Sequence, residues 1–165
     1  MALVLGAGAG PAGLPPACNA GQLGGTFSVV PGSAGAGNIV YALRLRNRST
    51  ATCFISGMPR LRLLDRRGHA LPTHVTPAAP GTATAVIVRL TAGAYASASA
   101  RFTSDVAAPS ERQHGDCEPR AYAIRVGAPP GTGTLVARVQ PPTPVCQHGG
   151  LQVSLLVAGR RPPHS

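Results

Sequence analysis

The chain has 165 residues, enough for one domain that buries about 68–70% of its unfolded surface. Its net charge is +10, with 15 basic residues, every one of them Arg, against five acids. Trp is absent and Phe and Tyr number three each, which excludes an aromatic platform for stacking nucleic-acid bases, and no apolar run reaches the ~18 residues of a membrane-spanning helix.

Residues 1–17 read as a leader. Met1 to Gly13 form an apolar, small-residue run with Ala7, Ala9 and Ala12 near a plausible cut. It is like the back half of a secretory signal without its basic start, or else a flexible Gly/Ala segment. The clearest strand is 39–46, where Ile39, Tyr41, Leu43 and Leu45 alternate with Val40, Ala42, Arg44 and Arg46. Period two predicts one buried and one wet face. Asn47-Arg48-Ser49-Thr50 is a turn signal, and 52–55 continues extended with Cys53. Pro59 opens a second alternating strand, with Leu61 and Leu63 facing one way and Arg60 and Arg62 the other. Asp65-Arg66-Arg67-Gly68 closes it as a hairpin whose returning strand is 69–73, Gly68 supplying a positive φ.

A Pro/Ala/Gly/Thr loop then runs to about residue 83, followed by a strand at 86–90, a Gly93 turn, and a Ser/Ala alternation over 95–102. Residues 103–118 are the longest polar segment and hold four of the five acids; they predict a surface loop able to contact a protein partner. Strands at 121–126, 134–139 and 151–157 follow, broken by Pro129-Pro130-Gly131 and Pro141-Pro142-Thr143-Pro144. The set of about 7–9 short strands predicts an all-β fold, an antiparallel β-sandwich spanning 18–158. Residues 159–165 form a polar, Pro-containing tail expected to be disordered.

Cys18, Cys53, Cys117 and Cys146 are an even set with no CxxC. Two disulfides are the first reading, with three pairings open, and they place the protein outside the reducing cytosol, secreted or in the cell envelope. The competing reading combines His114, Cys117, Cys146 and His148 (H-x-x-C and C-x-H) into a Cys₂His₂ metal site, although the spacing is not that of a zinc finger. Arg44, Arg46, Arg60 and Arg62 occupy the outward faces of two strands. Should those strands be neighbours, the guanidiniums form a ridge for anionic envelope polymer, gripping phosphate or carboxylate with paired hydrogen bonds. The plainer alternative is a solvated face in a chain whose Arg-only, Ala/Gly/Pro-rich usage reflects GC-rich codons. No G-x-S-x-G elbow, paired carboxylates or P-loop is present, and Asp116 and Glu118 beside Cys117 read as a solvated rim, so neither catalysis nor a cofactor is expected. The expected partners are anionic polymer or an envelope protein, with no nucleic acid, and the chain is expected to be a monomer.

The order of features resembles the DUF4232 family. The resemblance rests on Cys18, on Leu45-Arg46-Asn47-Arg48-Ser49 before Cys53, and on Ile55-Ser56-Gly57-Met58-Pro59 leading into Leu61-Arg62-Leu63-Leu64-Asp65. It continues through the stretch from Val86 to Phe102, then Cys117 with Pro119, Pro129-Pro130-Gly131, and Cys146 followed by Gly149-Gly150-Leu151. It departs at the turn before the Ser/Ala strand, which lacks a Pro, and at Phe102, where the family tends to have Trp. The resemblance implies a secreted or lipid-anchored immunoglobulin-like β-sandwich, found mostly in actinobacteria and without an assigned biochemical function. It also implies bridges Cys18–Cys53 and Cys117–Cys146, and supplies no catalytic residues.

Overall fold

Apolar alternation is strongest where the sheet is built, and a computed structural model describes residues 13–163. The strands are β1 (Leu23–Val29), β2 (Ile39–Asn47), β3 (Cys53–Ile55), β4 (Arg60–Leu64), β5 (His74–Pro77) and β6 (Val88–Leu90), then β7 (Tyr95–Phe102), β8 (Ala121–Gly127), β9 (Leu135–Thr143), β10 (Gly150–Val153) and β11 (Val157–Ala158). The main sheet runs β4-β8-β9-β1-β2-β7-β10-β5, with β11 added beside β7, and β3 pairs with β6 as a separate ribbon. The fold is all-β. Its sheet is mixed, because β1 runs parallel to β9 and β5 parallel to β10.

One face of every long strand enters a single core. Tyr41, Leu43 and Leu45 of β2 stand opposite Ala100, Ala98 and Ala96 of β7, so large residues on one strand meet small ones on the next. Phe27, Tyr41 and Phe102 form an aromatic row with centroids 5.2 and 5.1 Å apart. Its one polar atom, the Tyr41 hydroxyl, donates to the Pro141 carbonyl at 2.8 Å. Leu61, Leu63, Ile124, Val126, Ala137 and Val139 complete the far side of the same core.

Several local expectations change. The returning strand predicted at 69–73 does not form: only Ala70 bridges back, to Leu64. Pro72 has no N–H to give, and the Thr73 hydroxyl accepts the Leu63 N–H at 3.0 Å in place of a ladder carbonyl. The chain instead makes β5 and pairs with β10. The sequence reading contains no strand at β1, whose Gly24-Gly25 weakens the pattern. That strand holds by pairing along its whole length with β2. β9 runs through Pro141 and Pro142, beside a register irregularity between Ala121 and Ala123 where ladder donors are not required. Backbone pairing extends ahead of Cys18, since Ala17 bridges Phe54 and the Phe54 N–H donates to the Pro16 carbonyl at 3.0 Å. Residues 1–12 and 164–165, with most of the proposed leader and the end of the tail, lie outside the described residues.

Candidate functional site

Strand order separates the four arginines singled out from the sequence. Arg44 and Arg46 lie on β2, Arg60 and Arg62 on β4, with β8, β9 and β1 between them. Four strand spacings are about 19 Å along the sheet, so the four do not make one ridge. Each pair joins arginines that were not among the sequence-predicted site residues. Arg62 is the register partner of Arg125, Arg60 of Gly127, and Arg138 of Ala123, two residues before Arg125. Directly opposed residues share a face, so Arg60, Arg62, Arg125 and Arg138 form one exposed cluster on β4-β8-β9. None of them takes part in an ion pair among the described residues. Like charges set directly opposite each other cost stability. The signal was present in the sequence, since Arg125 and Arg138 occupy the outward positions of predicted strands.

The second group gathers around the chain's end. Gly159 N–H donates to the Tyr95 carbonyl at 2.7 Å, and the Arg160 guanidinium carbon sits 4.2 Å above the Tyr95 ring. Arg44 Nε donates to the Arg160 carbonyl at 2.9 Å and its Nη1 to the Ser28 hydroxyl at 3.1 Å. Residues 159–163, expected to be disordered, are therefore laid on the sheet: an aromatic ring accepts the cation and Arg44 of β2 binds the backbone. Their packing leaves a cleft lined by Arg44, Arg101 and Arg161 on the charged side.

The structure bonds Cys18 to Cys53 and Cys117 to Cys146. Beside the second bridge the polar loop folds inward on Glu111, whose side chain is only 1% exposed. Its Oε2 accepts the N–H of Ala108 at 2.6 Å and of Gln147 at 2.9 Å, while Oε1 accepts that of His148. Burial pushes this carboxyl up, but the backbone donors of His148, Ala108 and Gln147 outweigh it and hold it below its ordinary value. Gln147 and His148 carry positive φ of 57° and 56°, followed by Gly149 at 76°. Such left-handed backbone costs roughly 1–2 kcal/mol per non-glycine residue, and Glu111 offsets it by filling the nest of N–H groups this turn creates. The loop is thus pinned at Glu111 and at Cys117.

A family model described as a domain of unknown function (DUF4232) matches residues 18–156. The chain belongs to the DUF4232 family. No curated protein and no solved structure matches it. The match to the DUF4232 domain takes in both disulfides and the β4-β8-β9 arginines but ends before Arg160 and Arg161.

Two further arrangements in this DUF4232 domain have chemical form. With Cys117 and Cys146 bonded to each other, neither sulfur is a thiolate ligand, and His114 joins no group of three donors among the described residues. Glu111, Glu118 and His148 do bring donor atoms within 4.8 Å of one another, yet Glu111 already accepts three backbone N–H groups. Ser110 Oγ lies 2.9 Å from His148 Nε2, and His148 Nδ1 lies 3.4 Å from Glu118 Oε1, a Ser-His-carboxylate order. The imidazole is 56% exposed, and none of the clefts described is lined by Ser110 or His148.

Proposed function

We propose that this DUF4232 domain works outside the reducing cytosol, secreted or held in the cell envelope, as a non-catalytic binding module whose β4-β8-β9 face takes anionic envelope polymer. The extracytoplasmic placement is supported by two disulfides using all four cysteines, and no helix of the described residues is long and apolar enough to cross a membrane. The observation that carries the ligand class is the Arg62–Arg125 register pair, flanked by Arg60 and Arg138 and without a carboxylate partner among the described residues. Repulsion between these groups gives the fold nothing, and a phosphate- or carboxylate-rich chain relieves it through bidentate hydrogen bonds. None of the five acids sits on a strand, so the sheet presents a field of one sign.

The test is retention on polyphosphate-coated beads across a salt series. Binding falls with salt because exposed charges are screened, and Arg62→Gln with Arg125→Gln weakens it at least about tenfold, the loss of roughly 1.4 kcal/mol. The control is Arg46→Gln with Arg48→Gln, which removes the same charge elsewhere. Equal losses in both doubles reduce the effect to net charge and end the assignment to this face, as does undiminished binding by the first double.

A further inference from the structure

The cleft at the chain's end is about 620 Å³, within the roughly 300–1,000 Å³ of small-molecule sites. Its charged lining is Arg44, Arg101 and Arg161, with no acid among the described residues, and its apolar lining includes Val40, Pro162 and Pro163. None of the three guanidiniums has an ion-pair partner among the described residues. Arg44 is held in place by the Ser28 hydroxyl and the Arg160 carbonyl, so little side-chain freedom is lost when it binds. Arg101 is the register partner of Val40, which sets a cation directly beside the apolar floor.

We propose that this cleft binds a small anionic amphiphile, a phosphate or carboxylate head carried on a short apolar body. A bare anion would leave the valine and prolines in contact with water, and an uncharged apolar molecule would leave three cations unmatched; only the combination satisfies both halves of the lining. The bound head accepts paired N–H bonds from guanidinium forks, and each methylene buried on the floor tightens binding by up to about fourfold. The site is separate from the β4-β8-β9 face and shares with it only the attraction to anions. Its failure and the failure of the polymer reading are distinguishable, because they are read with different probes and different variants.

The experiment titrates the full chain with hexyl phosphate, with inorganic phosphate and with hexanol, following heat and backbone amide shifts. Hexyl phosphate binds at least about tenfold tighter than either fragment, and shifts concentrate at Val30, Val40, Arg160 and Arg161. Arg101→Gln weakens hexyl phosphate at least about tenfold, the loss of a charge-assisted bond, while Arg67→Gln, outside the lining of the cleft and outside the β4-β8-β9 face, leaves it unchanged. Arg161→Gln, at an exposed position, repeats the test without risk to the sheet. Equal affinity for inorganic and hexyl phosphate overturns the proposal, as does binding unchanged in both Arg101→Gln and Arg161→Gln.

Discussion

Replacing Glu111 by Gln tests whether one buried carboxylate holds the left-handed turn at Cys146. The glutamine keeps a carbonyl oxygen for two of the three backbone donors and sets an NH₂ against the third. That leaves one buried N–H unpartnered, at roughly 1–3 kcal/mol, and removes charge assistance from the other two bonds, at about 1 kcal/mol each. The sum is about 4 kcal/mol, and a domain of this length loses about 2–4 °C per kcal/mol, so Tm falls by about 8–16 °C near neutral pH. Its sign with pH is fixed. Glu111 titrates below its ordinary value in the folded protein, so its stabilisation is full above the unfolded pKa near 4.3 and is lost as the pH falls through the lower folded-state value. Thermal unfolding of both proteins should therefore show a wide gap at neutral pH that closes in acid. The Asp65 carboxyl, held low by the backbone N–H groups of His69 and Arg67, titrates alike in both proteins and drops out of the difference. A Tm change under about 2 °C, or a gap that stays constant down to about pH 3, refutes the reasoning.

Other perturbations read the remaining supports. Asn47 is fully buried and uses every polar atom: Nδ2 donates to the carbonyls of Ala51 and Leu90 at 2.7 and 2.9 Å, and Oδ1 accepts from the Ser49 N–H and hydroxyl. Asn47→Asp sets an oxygen against two carbonyls and should cost about 3–5 kcal/mol in a chemical-denaturation series, several times the cost of a surface substitution. Gly149 has φ +76° and a Cβ there would drive into the Pro72 carbonyl, whereas Gly68 has φ +83° and open space around it. Gly149→Ala should cost about 2–4 kcal/mol and loosen amide protection in β5, against about 1 kcal/mol for Gly68→Ala, which isolates the φ penalty from the clash. Removing the Cys18–Cys53 bridge with a paired Ala substitution frees a closure of 35 residues and should cost about 4 kcal/mol by chain entropy; unchanged denaturation midpoints would count against that account.

The sequence exposed the parts of this domain that follow a short-range rule. Period-two alternation placed β2, β4, β7 and β8 to within about two residues because each has one face in the core and one in water. It failed at β1, where two glycines blank the pattern, and at residues 69–73, where Pro72 and the Thr73 hydroxyl displace a ladder bond that looked available. Arginine placement was half legible for the same reason. Outward position on a strand is local, but which outward arginines stand together depends on strand order, and the parallel β1–β9 pairing that inserts three strands between β2 and β4 leaves no mark in either strand. Glu111 was the least legible residue. In a polar loop with four of the five acids, every carboxylate reads as solvated, and nothing near it in sequence marks it as different. Its role is created some 36 positions away, where Gln147 and His148 turn left-handed and aim their N–H groups inward. A buried charge costs stability unless it is fully bonded, so a carboxylate with three backbone donors is fixed by the turn as firmly as it fixes the turn. That mutual dependence ties the acidic loop to the second disulfide and makes it a rigid part of the sheet's rim, so a partner meeting this loop would meet a preformed surface and lose little to ordering it.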